Sequence, residues 1–499
     1  MSRRDRVVLA VAAFVWGIAV AWIAWRLRGL AVDDFFITYR YAWNLAFGHG
    51  FVFNPGERVF GLTEPGMGLL LALLTRLTGV SLPTLGTLSM AVGLSGLVLV
   101  LLAEGGERGR RTEALVAGTL VVTSSYLWLN QGAGIPLALL LLAMAARIAI
   151  ERPWLAGLAA GCAVWLRPEA AAGAAILALL LWAEGRRFPW RFTALVVALT
   201  AAGGAAAWLY FGTPLPITLA AKHAMAEAEG AAEPFWALAA PILRRHWGSG
   251  WWLLAAAGVA GQWPLYRAMG RAGRLLVLFA AFTAIAYPVM GMPFFSWYTV
   301  PAAIAGLYGL AFLAGAVGRG VAAALPAARV RLARVAGVAV AALLLVVPLA
   351  SEVPACLRWY RAYDWQPHLK TYGRAALWLH RNTAPTDEVA YVEIGVLAYY
   401  SRRPVVDLLG LVTPGAIPYV AEGDLPGAFL AHPTPYVIYH TRGRMAPLLD
   451  RRWFWNAYEE VVRFEQEGGA WLAIYRRIPG SALPPERPPR RPRLPPSTP

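Results

Sequence analysis

The stretch DDFFITYRYAWNLAFGHGFVFNPGERVFGLTEPGM, residues 33–67, decides how the rest of this chain is read. It follows the first long apolar run and sets two adjacent carboxylates, Asp33 and Asp34, where that run ends. An ionisable group at a bilayer edge is costly unless it faces water, a partner or a substrate, so the pair is the first candidate for chemistry. Two readings of it stand side by side. An aspartate ahead of the amphipathic run FFITYRYAWNLAFG can cap a helix that Gly48 ends. One carboxylate suffices for a cap, so the second points to a general base or a cation ligand.

Working outward, the chain is apolar throughout its first 351 residues. Of 499 residues, 58% are hydrophobic and 15% charged, and the mean hydropathy is +0.52, the composition of an integral membrane protein. Runs of spanning length fall near 7–27, 84–103, 114–130, 135–150, 192–211, 248–266, 275–290, 300–317 and 335–351. The run 155–184 is broken by Arg167, Pro168 and Glu169 and reads as a hairpin of two short helices. The apolar piece 66–80 is too short to cross comfortably and reads as re-entrant or interfacial.

About eleven crossings with a cytoplasmic N-terminus then place every sizeable arginine cluster inside: Arg3–Arg6, Arg108–Arg111, Arg186–Arg191, Arg267–Arg274 and Arg319–Arg334. The same count puts loops 31–65 and 212–246 outside, together with all that follows residue 351. Residues 352–478 mix helix-like and strand-like signals, YGRAALWLHRN against EVAYVEI, RPVVDLL, PYVIYH and WLAIYRR, which predicts a soluble α/β domain on the non-cytoplasmic side. The Pro- and Arg-rich end, residues 479–499, reads as a disordered tail.

The net charge of +17 raises nucleic-acid binding, but the basic residues are scattered over loops and tail with no aromatic-laced stripe, so no nucleic-acid partner is expected. Lysine is nearly absent: only Lys222 and Lys370 occur. Lys222 and His223 adjoin in an outer loop, where they read either as a solvated pair or as donors to an anionic leaving group. Arg40, Glu64, Arg167 and Glu169 are the other charged candidates for substrate or phosphate binding. Trp297 and Tyr298, in MPFFSWYTVP, read as an aromatic belt or as sugar-stacking surfaces. Cys162 and Cys356 suggest no disulfide framework.

In order along the chain, the Asp33–Asp34 loop, TEPG, LRPEA, LPITLAAK, PFFSWY and VEIGVLAYYSRRPVVDLLGLVTP resemble the bacterial GT-C-fold membrane glycosyltransferases related to terminal arabinofuranosyltransferases. The resemblance runs from about residue 30 to 475. It implies a polytopic helical GT-C domain over 1–351 that takes a sugar from a polyprenyl-phosphate donor at the outer face of the inner, plasma membrane. The acceptor would be a cell-envelope glycan, lipid or protein, with Asp33 or Asp34 as catalytic base. It fixes no cofactor and leaves a divalent metal open. One departure is visible: relatives often carry a Ser-Gly-Leu-Glu-Thr-like signature in the second outer loop, and here NQGAGIP puts Gly134 where the glutamate falls. A lipid or solute transporter, or a degenerate glycan-binding member, are the competing readings.

Overall fold

The apolar runs become helices that pack through small residues, because lipid chains offer no hydrophobic drive between helices and close backbone approach must supply the attraction. The computed structural model describes residues 3–229, 235–324, 330–362, 367–441, 443–466, 469–486 and 488–489. Its membrane part comprises α1 (Arg3–Leu27), α2 (Asp33–Ala46), α3 (Pro65–Thr78), α4 (Leu82–Glu107), α5 (Arg111–Thr123), α6 (Ser125–Trp128), α7 (Ile135–Ile148), α8 (Pro153–Leu166) and α9 (Ala170–Gly185). It continues through α10 (Trp190–Phe211), α11 (Thr218–Glu229), α12 (Phe235–Trp247), α13 (Trp251–Ala260), α14 (Gln262–Ala268), α15 (Arg271–Val289), α16 (Val300–Ala324) and α17 (Val330–Ala362). A Cβ at Gly258 would lie 2.8 Å from the Gly306 carbonyl, so only glycines let α13 and α16 cross this closely.

Among the described residues, α1, α4, α10, α15 and the run Ser296–Ala324 are each long and apolar enough to cross a membrane, and α17, bent by 43° after Val347, makes a sixth. The other expected crossings are shorter. The run 114–130 splits at Ser124, whose extended backbone ends α5 before the single turn of α6. Adjacent serines offer the chain local hydrogen bonds that compete with a helix. The run 248–266 likewise divides into α13 and α14 at Gly261. The piece expected to be re-entrant is the 14-residue α3, and the broken hairpin is α8 and α9 with Arg167 extended between them.

The α17 helix runs past residue 351 and ends at Ala362, and beyond it lies the C-terminal α/β domain, named the outer domain for its expected side. That domain contains α18 (Pro367–Asn382), β1 (Val389–Tyr391), α19 (Gly395–Ser401), β2 (Val405–Asp407), α20 (Ile417–Ala421), β3 (Tyr436–His440), β4 (Tyr458–Glu465) and β5 (Trp471–Arg477). The sheet order is β2-β1-β3-β5-β4, with β1 parallel to β2 and β3, and β5 antiparallel to β3 and β4. Four of these strands coincide with the apolar runs read from sequence. The unforeseen β4, YEEVVRFE, buries only Tyr458 and Phe464 and lacks the alternation that marks a strand. Residues 490–499 of the expected disordered tail lie outside the described residues, whereas Glu486 accepts a hydrogen bond from the Tyr419 hydroxyl.

The outer domain sits on the first outer loop. Asn44 and Tyr41, from α2, hold that loop by hydrogen bonds to the carbonyls of Val52, Phe53 and Val59. The carboxamide of Asn54 then pairs both ways with the Val405 backbone of β2, at 3.0 and 2.9 Å.

Candidate active site

The floor of the site is built where α2, α3, the α8–α9 turn, α11 and the 3-10 turn Ser296–Thr299 meet beneath the outer domain. Successive helical residues point about 100° apart, so the two aspartates that open α2 cannot face the same way. Neither caps its own helix: the N-cap position is Val32, with no side-chain bond. Asp33 is 5% exposed and reaches into the outer domain, where its two oxygens accept the Gly395 and Val396 amides, at 2.9 and 2.8 Å, that begin α19. It caps a helix, but one 362 residues away. Position 395 must be glycine, since a Cβ there would lie 1.9 Å from the Asp33 carbonyl.

Asp34 instead lines a narrow polar cleft of about 40 Å³ with Thr38, Gly61, Glu64, Arg167, Thr218, Lys222, Trp297 and Leu411. That is room for a few water molecules. Burial raises its carboxyl above the ordinary value of 3.8, with the Lys222 charge opposing the rise. Lys222 is 8% exposed, donates to the Tyr298 hydroxyl at 3.1 Å and lies 4.6 Å from the centroid of the Phe295 ring, with Trp297 and Tyr298 also around it. Aromatic faces attract an ammonium electrostatically, so the three rings form a cage for the Lys222 head group.

On the other wall, Arg167, 3% exposed, is clamped between two carboxylates: Glu64 on one side and Glu169, at 2.8 Å from Nε, on the other. Glu64 also accepts the Gly134 amide at 3.0 Å. A Cβ at 134 would lie 2.7 Å from the Leu166 carbonyl and 3.3 Å from Glu64 itself, so the carboxylate of Glu64 takes up the ground beside this glycine.

The remaining candidates lie elsewhere. Arg40 is 1% exposed and spends its guanidinium on the carbonyls of Phe53 and Arg403, off the cleft, because α2 is buried on both faces between loop and outer domain. His223, one residue from Lys222 and therefore on another face of α11, is exposed and does not line the cleft. Tyr298 acts at one remove, holding Lys222 and stacking on Tyr287 with centroids 3.9 Å apart.

Sequence reading missed Glu393. It lies at the end of β1, two residues before Gly395, and its carboxylate comes within 4.8 Å of those of Asp33 and Asp34. Burial and the two neighbouring aspartates push it up to about 8, against the pull of Arg444; Asp33 is pushed up to about 7 by burial, against its two amide bonds. The all-oxygen trio suits a hard cation such as Mg²⁺, Mn²⁺ or Ca²⁺. Both Asp33 oxygens already receive amides, leaving Asp34 and Glu393 as the freer ligands. The only available signal for Glu393 was an acid at a strand end ahead of glycine, within the segment that carried the resemblance.

A second, apolar cavity of about 470 Å³ lies among α12, α13, α15 and α16, lined by Trp247, Leu254, Gly258, Ala281, Ala303 and their neighbours. It reaches Thr299, in the same 3-10 turn whose Trp297 faces the polar cleft.

A helical membrane domain carries an α/β domain, with carboxylates and a caged cation at the joint. ArnT from Cupriavidus metallidurans in the apo state shares this fold at a TM-score of 0.58 and 13% identity over 93% of this chain and 98% of ArnT. ArnT bound to undecaprenyl phosphate gives 0.56 at 13% identity, over 96% and 98%. The oligosaccharyltransferase from Archaeoglobus fulgidus tethered with an acceptor peptide gives 0.55 at 14% identity, over 94% and 74%. In sequence the chain is 32% identical, over 44% of its length, to a terminal β-(1→2)-arabinofuranosyltransferase of Mycobacterium tuberculosis, and it spans 39% of that curated relative. Residues 359–475, the outer domain, match a family described as a domain of unknown function, DUF8728.

Proposed function

We propose that this protein transfers a glycosyl group from a polyprenyl-phosphate-linked sugar to a hydroxyl of a cell-envelope acceptor at the outer face of the plasma membrane. The observation that carries the reading is that Asp34 and the aromatic-caged Lys222 share one buried polar cleft beside an apolar cavity. A donor of this kind needs all three: a carboxylate, a cation and an apolar bed for its lipid.

Asp34 takes the acceptor hydroxyl's proton as the oxygen attacks the anomeric carbon. The bond from that carbon to the phosphate oxygen breaks, and polyprenyl phosphate departs with the electron pair. Lys222 meets the charge that develops on the leaving oxygen, while Arg167, held by Glu64 and Glu169, lines the opposite wall. Asp33 is the positioning residue that ties α2 to the outer domain. Asp34 and Glu393 would hold a divalent cation, which would neutralise the cluster and help orient the phosphate.

The arginine pattern supports eleven crossings with the N-terminus cytoplasmic and the outer domain extracytoplasmic. The test is transfer from polyprenyl-phosphate sugars, pentose and hexose, to neutral oligosaccharides in nanodiscs, with the Asp34→Asn variant beside the wild type. Transfer that depends on Asp34 is expected. Absence of transfer or donor hydrolysis from every polyprenyl-phosphate sugar, by a protein that binds the carrier lipid, would overturn the reading.

A further inference from the structure

Behind the cleft lies a second crevice, of about 310 Å³, between the first outer loop and the outer domain. Glu57 and Val59 stand on the loop side; Glu388, Thr413 and His432 stand opposite, between prolyl and valyl walls. Cleft and crevice share a partition one backbone thick. Gly61 and Leu411 face the cleft while Val59 and Val412 face the crevice, and a Cβ on Gly61 would sit 2.5 Å from the Leu411 carbonyl. The two cavities therefore lie back to back, within the reach of one extended oligomeric ligand that crosses this edge.

Charge decides what fits. The protein has 45 lysines and arginines against 28 acids, yet the crevice lining holds two carboxylates and neither a lysine nor an arginine. A phosphate or other anion is therefore repelled, which sets the crevice apart from the donor's binding place. A metal ion is also disfavoured: among the described residues the acids and imidazole that converge closely enough to ligate one are Asp33, Asp34 and Glu393, not Glu57, Glu388 and His432. Carboxylates, an imidazole and a hydroxyl over aliphatic walls match a neutral ligand rich in hydroxyl groups, whose donors the carboxylates accept and whose C–H faces rest on proline and valine.

The walls are fixed before any ligand arrives. Asn54 pairs with Val405 and holds Glu57 at 3.1 Å, Asp407 accepts the Leu409 and Val412 amides at 2.9 and 3.1 Å, and Gly415 lies so close to His432 that a Cβ would come within 2.4 Å of its ring. Pre-set walls reduce the ordering cost of binding.

We infer that this crevice is a distal subsite for a neutral stretch of the acceptor glycan, which lies across the Leu411–Val412 edge while its terminal sugar presents a hydroxyl at the mouth of the cleft. This rests on the glycosyltransferase reading, and the experiment separates the two. Glu388→Gln combined with His432→Gln changes one exposed and one half-buried side chain outside the catalytic machinery. In nanodiscs, with neutral oligo-arabinofuranosides as acceptors, the double variant should raise KM about tenfold for an eight-unit chain and leave kcat, the donor KM and the KM for a two-unit acceptor unchanged. An equal change for both lengths, or none, overturns the subsite while leaving the transferase reading intact. Should no acceptor be turned over, saturation-transfer NMR with the eight-unit glycan still decides: the wild type should give a signal that the double variant loses. A signal of equal strength in both, no signal in the wild type, or equal binding of a carboxylated glycan overturns the proposal.

Discussion

Replacing the two adjacent aspartates one at a time should produce opposite phenotypes. Among the described residues Asp34 receives no hydrogen bond from the protein, and its partner across the cleft is the charge of Lys222. Asp34→Asn therefore removes a proton acceptor and a charge but breaks no structural contact, and transfer should fall by about 10²–10⁴-fold. At 1.36 kcal/mol per decade that is about 2.7–5.4 kcal/mol of transition-state stabilisation. Asp33 is the reverse case. Asp33→Ala leaves the Gly395 and Val396 amides without their acceptor, each a loss of about 1–3 kcal/mol when buried. Removing a carboxyl that burial pushes up to about 7 returns part of this, so a net destabilisation of about 1–3 kcal/mol is expected. The assay is transfer rate with melting temperature and limited proteolysis of the outer domain, all in nanodiscs. The expected pattern is a dead but stable Asp34→Asn and a loosened, partly active Asp33→Ala. If Asp33→Asn is inactive at wild-type stability while Asp34→Asn retains activity within tenfold, the roles are exchanged and the geometric argument fails.

Further outcomes follow from the same contacts. Burial holds the Asp34 carboxyl above its ordinary value, so as pH falls the base is lost earlier than a solvent-exposed aspartate would be; Lys222 counters the rise, and Lys222→Met should move the acid limb of kcat/KM to higher pH, an immobile or downward-shifted limb contradicting their proximity. Burial and the neighbouring aspartates push Glu393 up from 4.5 to about 8, so the stability it contributes is complete below about 4.5 and is lost as pH rises through about 8; the melting temperature should fall between about pH 4.5 and 8 in wild type, less so in Glu393→Gln. Gly134→Ala puts a Cβ 2.7 Å from the Leu166 carbonyl and should cost about 1–3 kcal/mol, read as a lower melting temperature; an unchanged value would mean the α8 end gives way freely. Single cysteines near 60 and 430, in a background without Cys162 and Cys356, should label from outside, and failure at both sites would reverse the orientation.

How far the sequence could lead depends on whether a residue's role is local. The apolar runs, the loop rich in acids, the broken hairpin and the lone loop lysine are local signals, and the long helices and four of the five strands follow from them, whereas the breaks at Ser124 and Gly261 do not. The cleft gathers Asp34, Glu64, Arg167, Lys222 and Trp297 from five separate segments, all of which had been marked as candidates. Arg40 and His223 failed for want of a direction. Composition placed a cation near the membrane edge, but only packing shows which face of α2 or α11 looks into the cleft. The same holds for Asp33, whose helix cap could be suspected while its helix, 362 residues on, could not.

Gly134 carries this point furthest. Read along the chain, a glycine in place of an acid argues for a missing catalytic group and a degenerate site. In three dimensions its amide is a donor to Glu64, its missing side chain is what admits the Leu166 carbonyl, and the carboxylate supplied by Glu64 binds Arg167 from the opposite segment. The acid beside this position comes from the first loop, and Gly134 and Glu64 are joined by a hydrogen bond in one arrangement. A glutamate at 134 should therefore damage the site, because a third carboxylate, beside Glu64 and Glu169, would compete with the Leu166 carbonyl for the space around one guanidinium. A Gly134→Glu variant that transfers faster than wild type would show instead that the glycine is a defect and that Glu64 is a bystander.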